Sequence, residues 1–135
     1  MNILFDTNIL LDVYIRREPF FEHSSLLMAN AEQGIITGWV SSTSITTIHY
    51  LVGKWRDKNT ANKIIESTLK IFNVSTVNRA VLEGALTLGF SDYEDAVLHQ
   101  SAIFNNLDSI LTRNKKDFSK ASLAIFTPEE LLALL

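Results

Sequence analysis

The chain has no cysteine, which rules out a disulfide framework and any thiolate metal site and suits a reducing compartment. Proline occurs twice and glycine five times in 135 residues. Neither gathers into a linker, and with no repeat or low-complexity tract nothing marks a domain boundary. No apolar stretch approaches the ~20 residues that a bilayer-spanning helix needs. At the amino terminus, Asp6 and Asp12 interrupt an apolar opening with no basic leader before it, a pattern expected of neither a signal peptide nor a membrane anchor. An excess of positive charge is missing too. Twelve basic residues face 15 acidic ones, a formal net charge of −3, which argues against holding nucleic acid by bulk cationic attraction alone. A carboxylate cluster around a metal would still count as negative in that sum. The expectation is a single cytoplasmic domain spanning residues 1–135, with no membrane part.

What is present is the balance of an ordinary globule, 47% hydrophobic and 20% charged, with short apolar runs set between helical patterns. Residues 2–5 read as a buried strand ending at Asp6, and residues 8–16 as a short helix. Pro19 is placed at the start of a helix that runs to about Gln33 and stops at Gly34. Strands are expected at 35–40, 71–75, 109–112 and 123–126, and helices at 43–54, 59–70 and 78–88. Ser91 to Glu94 has capping-box spacing and should open a helix to Phe104. Residues 113–121 read as a polar loop, and Thr127-Pro128-Glu129-Glu130 opens a closing helix.

Apolar strands alternating with helices imply a parallel sheet covered on both faces, and such sheets bind ligands beyond the carboxyl ends of their strands. The polar residues found there are Asp6, Thr7 and Asn8 after the first strand, Ser41 to Ser44 after the second, and Thr112 to Asp117 after the fourth. Asp92 and Asp95 open a helix that can point at the same edge. Short carboxylates on rigid positions are what a hard divalent cation such as Mg²⁺ or Mn²⁺ takes as ligands. Each acid also has a plainer role open to it. Asp6 stands where a helix N-cap would, Asp92 can decorate the positive end of a helix, and Asp117 can sit in a solvated loop of mixed charge. Asp95 is followed by Ala96, Val97 and Leu98, so its carboxylate lies near the core and needs a partner.

Four ordered blocks carry more than these signals do separately: Leu4-Phe5-Asp6-Thr7-Asn8, Asp92-Tyr93-Glu94-Asp95-Ala96, Ile110 to Phe118, and Phe126 to Glu130. Over essentially its full length the chain resembles the PIN-domain ribonucleases, and among them the toxins of VapBC-type toxin–antitoxin pairs. The resemblance implies an α/β fold of three layers, α/β/α, with a mostly parallel central sheet. Asp6, Asp95 and Asp117 match metal-ligand and catalytic acids. Thr7, Asn8, Thr112 and Asn114 match polar residues that line or brace the site, and Asp92 matches an outer acid of the subgroup with an Asp-x-x-Asp pattern. Arg113, Lys115 and Lys116 are suited to contacting the phosphates of a bound strand.

In one place the chain departs from the family pattern. Thr47 stands where the family usually has a glutamate, and no carboxylate occurs between Glu32 and Asp57. His49 is two residues away, turned to another face of the helix, and reads as a structural histidine. The expected function is divalent-metal-dependent cleavage of RNA, with a protein antitoxin and a second copy of the chain as partners. The alternative is a PIN-fold module that binds RNA or a protein without cutting, which the missing glutamate favours. A phosphatase of the haloacid dehalogenase type needs a second aspartate at position 8, where this chain has Asn8.

Overall fold

The computed structural model describes all residues, Met1–Leu135. Five strands form one sheet: β1 (Asn2–Phe5), β2 (Thr37–Ser41), β3 (Asn73–Ser75), β4 (Ser109–Leu111) and β5 (Ala124–Phe126). Their spatial order is β3-β2-β1-β4-β5, and every neighbouring pair is parallel. Seven α-helices connect them: α1 (Thr7–Tyr14), α2 (Phe21–Glu32), α3 (Ser42–Trp55), α4 (Lys58–Ile71), α5 (Arg79–Ala85), α6 (Tyr93–Phe104) and α7 (Pro128–Leu134). A short 3-10 helix, Lys115–Phe118, lies inside the segment expected to be a loop. None of the helices is long and apolar enough to cross a membrane.

Strand side chains alternate between faces, and β1 shows how this divides the core. Ile3 and Phe5 join the larger cluster with Leu27, Val40, Ile48, Ala61 and Leu131, from α2, β2, α3, α4 and α7. Leu4 faces the other way and packs with Leu98 and Ala102 of α6, with Ile110, and with Phe118 of the 3-10 helix. Helices therefore cover both faces, which is the three-layer arrangement expected. In β2, Gly38 has no Cβ where the Phe72 ring comes within 2.7 Å of that position. A side chain there would displace the ring from its edge-on contact with Phe5, whose centroid is 4.9 Å away.

Several boundaries differ from the sequence expectation for local reasons. Helix α2 begins at Phe21, two residues after Pro19, so the proline precedes the helix rather than opening it. Gly34 does take the left-handed conformation, φ +78°, expected of a glycine just past a helix end. The N-cap of α6 is Asp92, whose Oδ1 accepts from Asp95 N at 3.1 Å. The Ser91–Glu94 capping box therefore does not form. The box at Thr127 does, with both reciprocal bonds to Glu130 and Pro128 in the first turn.

Candidate active site

Chain order makes a crevice at one place on the sheet rim. From β1 the chain steps outward to β2 and β3, then returns to add β4 and β5 on the other side of β1. The connections leaving β1 and β4 thus diverge, and ligands of open α/β sheets bind at such a switch. Asp6 immediately follows β1 and Thr112 immediately follows β4. Their segments are joined by a bond from Asp6 N to Leu111 O at 2.9 Å.

The cleft at this point holds roughly 250 Å³. Its acidic lining is Asp6, Asp92, Glu94, Asp95 and Asp117, with Thr7, Asn8, Thr47 and Asn114 among the other walls. All three acids singled out as ligands therefore face one space, although they are remote in sequence. Glu94 was missed as a lining residue because its position in the first turn of a helix explains it without a site. Thr47 does line the cleft, and its hydroxyl donates back to Thr43 O at 3.2 Å.

Asp6 occupies the N-cap position of α1 but makes no side-chain capping bond. Its carboxylate instead accepts from the Thr112 hydroxyl at 2.8 Å, and only 6% of the residue is exposed. Burial raises its pKa above the ordinary carboxylate range, against lowering by the Thr112 bond, the Thr7 backbone N–H and the charge of Arg113. Asp95 is half-buried and is pushed up to about 7, first by desolvation and then by the charges of Asp6, Asp92, Asp117 and Glu94. Burial and crowded like charges together produce this shift, and a bound cation would oppose it.

No three acidic or imidazole groups stand close enough to enclose an ion by themselves. The donor set nevertheless fits a hard cation. Mg²⁺ is usually held by one or two carboxylates and keeps several waters, which needs an open, oxygen-lined cleft rather than a protein cage. Five carboxylates with hydroxyl and amide neighbours supply that. Neither sulfur nor a histidine lines the cleft, as expected for Mg²⁺ or Mn²⁺ rather than for softer metals.

The polar residues around the acids act mainly as braces. Thr112 is fully buried; its oxygen donates to Asp6 and accepts from Asn114 N at 3.1 Å. It therefore holds the site and does not line it. Thr7 Oγ1 pairs with the buried Ser44 Oγ at 2.6 Å, joining α1 to α3. Asn8 Oδ1 accepts from Arg17 Nη2 at 3.0 Å.

Two of the three cations expected to meet phosphate are already engaged. Arg113 donates to both oxygens of Asp12, at 2.8 and 3.3 Å, and lies over the Phe20 ring at 4.1 Å. Lys115 pairs with Glu130 at 3.0 Å. The sequence reading assigned both to phosphate because a cationic run looks solvated when its partners are distant in sequence. Lys116 lines a second cleft next to the first. His49 is tied to Asn62 on α4 at 2.7 Å, the structural role expected of it.

Asp12 went unassigned in the sequence. It is fully buried, and besides Arg113 it meets Arg17, whose Nε lies 2.9 Å from Oδ1 as an ion pair without hydrogen-bond alignment. The available signal was an acid among the apolar residues of a helix, followed by Arg16 and Arg17.

The same architecture occurs in solved structures of low sequence identity. A toxin–antitoxin complex from Klebsiella pneumoniae aligns with TM-score 0.71 at 21% identity, covering 93% of this chain and 97% of that one. VapBC2 from Rickettsia felis, bound to a DNA fragment from their promoter, aligns with TM-score 0.68 at 18% identity over 94% and 98%. VapC20 from Mycobacterium tuberculosis, a Sarcin-Ricin loop cleaving toxin, aligns with TM-score 0.64 at 13% identity over 80% and 86%. No curated protein matches the chain. The PIN domain family model matches residues 2–116, most of the chain and every residue lining the acidic cleft except Asp117, and the protein belongs to the PIN-domain family.

Proposed function

We propose that this protein is a divalent-metal-dependent endoribonuclease and the toxin of a toxin–antitoxin pair. One observation carries the nuclease reading: Asp6, Asp95 and Asp117 line a single cleft at the switch point of the sheet. The toxin reading takes its support from the structural neighbours, which include toxin–antitoxin complexes and a Sarcin-Ricin loop cleaving toxin. An antitoxin protein, an RNA substrate and a second copy of the chain are the partners that follow, in a cytoplasmic setting.

Asp6, Asp95 and Asp117 would hold the ion, Mg²⁺ or Mn²⁺, in part through its waters, with Asp92 at the outer edge. When bound, the ion lowers the pKa of a coordinated water and offsets charge on the phosphoryl oxygens. The chain's own residues do the positioning. Thr112 fixes Asp6 from beneath, Asn114 follows on the same turn, and Thr7 is held by Ser44. Asp95 accepts or releases a proton near neutrality in the metal-free protein.

The test is cleavage of RNA with Mn²⁺ or Mg²⁺ by the protein and by Asp6→Asn. Loss of cleavage in the variant is expected, and equal cleavage by both removes Asp6 from the mechanism. Thr47 in the cleft wall favours a second reading, a PIN-fold module that binds RNA or a protein without cutting. Calorimetric titration with Mn²⁺ separates the two, because a binding module need take up no metal.

A further inference from the structure

We propose that the cleft beside the acid pocket is a phosphate-backbone subsite that seats the RNA strand next to the phosphodiester being cut. This rests on the ribonuclease reading and extends it to how the strand is held. The cleft, roughly 220 Å³, shares Asp117 with the acid pocket and is formed otherwise by Gly89, Phe90 and Ser91 ahead of α6 and by Lys116, Ser119 and Lys120 in and after the 3-10 helix. The sign of the charge changes across Asp117. Asp6, Asp92, Glu94 and Asp95 lie on one side, and two ammonium groups lie on the other.

Those ammonium groups are free. Lys116 and Lys120 take part in no ion pair, whereas Arg113 and Lys115, from the same stretch, are bound to Asp12 and Glu130. Lys116, Lys120, Ser91 and Ser119 are all exposed. Gly89 has φ +75°, and a Cβ there would come within 3.4 Å of Lys120 Nζ. The left-handed backbone favours glycine at this position, and the 3.4 Å spacing places the Lys120 ammonium beside this wall of the cleft.

The chemistry calls for such a flank. Five carboxylates repel a polyanion, and one divalent ion offsets only part of their charge. A single strand with one phosphate at Asp117 carries its neighbouring phosphates past that residue. On the lysine side they meet two ammonium groups and two hydroxyls. Contacts of this kind set position and affinity without reading sequence.

The test uses the Asp6→Asn protein, so that bound RNA stays whole, with and without Lys116→Ala and Lys120→Ala together. Affinity for a fluorescent single-stranded RNA decamer is read by anisotropy against salt concentration. Two lost phosphate contacts should reduce the log–log salt slope by about 1.4, at about 0.7 per contact on a single strand, with weakening alike for different sequences. Lys63→Ala, an exposed lysine on α4, should change neither. On the otherwise native protein the double variant should raise KM and leave kcat unchanged, the pattern of lost uniform binding. An unchanged slope, a loss matched by Lys63→Ala, or no RNA binding at all overturns the subsite. Cleavage with an unaltered KM in the double variant leaves the ribonuclease and removes the subsite. Lysine-dependent binding without any cleavage does the reverse.

Discussion

The hydroxyl of Thr112 donates to Asp6 Oδ2 across 2.8 Å, so the residue that follows β4 holds the carboxylate that follows β1. The two are far apart in sequence, and both are buried. Thr112→Val keeps the shape and removes this bond together with the one from Asn114 N. A hydrogen bond to a charged group contributes about 1.5–3 kcal/mol. The loss should appear in chemical denaturation and in a Mn²⁺ affinity roughly tenfold to a hundredfold weaker, the usual effect of removing an outer partner of a metal ligand. Unchanged Mn²⁺ affinity would mean that Asp6 needs no brace.

Asp12 has a separate role. Its carboxylate is fully buried between Arg17 and Arg113, and the pairing ties α1 to the turn that leads to Asp117. Asp12→Ala leaves two guanidinium groups without their counter-charge. A loss of about 3 kcal/mol is expected, the lower end for breaking a buried pair, since both arginines keep some contact with water. Urea denaturation measures it, and a loss below about 1 kcal/mol would reduce the triad to the worth of surface ion pairs.

The metal-free protein should lose stability as the pH rises toward neutrality. Asp95 is raised to about 7 in the folded chain, against about 3.9 for an unfolded aspartate. Between these values the folded state holds a proton that the unfolded state has released. The stability linked to this group is complete below about pH 4 and lost as the pH passes through about 7. The Tm in chelator should fall from about pH 5 to about pH 8, and Asp95→Asn should flatten that fall. Mn²⁺ should raise Tm more at the higher pH. A fall equally steep in the variant would assign it to other groups.

Thr47 faces the same cleft as the acids, which makes the missing glutamate a testable deficit. Thr47→Glu adds a carboxylate to the wall and should tighten Mn²⁺ binding in calorimetry. In chelator it should lower Tm, because a further negative charge joins an already crowded set. If the variant binds Mn²⁺ no better than the native protein, position 47 does not reach the ion.

Much of the fold was legible in the residues. Apolar runs such as Asn2–Phe5 and Ser109–Leu111 are too short and too apolar for anything but central parallel strands. Gly34 and Thr127 mark helix ends through conformation and capping that act within a few residues. Asp6, Asp95 and Asp117 were recognisable because strand ends and helix starts converge on one rim of such a sheet and because the four ordered blocks that hold them resemble the PIN-domain family. The Ser91 capping box was misread because Asp92 satisfied the same local rule better, and the Pro19 helix start because the proline lies in the turn that precedes α2.

Pairings between distant segments were not legible. Arg113 looked free in sequence and is bound to Asp12; Lys115 looked free and is bound to Glu130; Lys116 looked the same and has no partner. Local propensity and hydrophobic period are properties of short windows, and from them the sequence by itself determined the strands, most helices and the rim on which the acids lie. Which charges are neutralised depends on side chains 15 (Lys115 and Glu130) to 101 (Arg113 and Asp12) positions apart meeting in space. Only the tertiary structure decided that, because burial removes the water that would otherwise serve every charge alike.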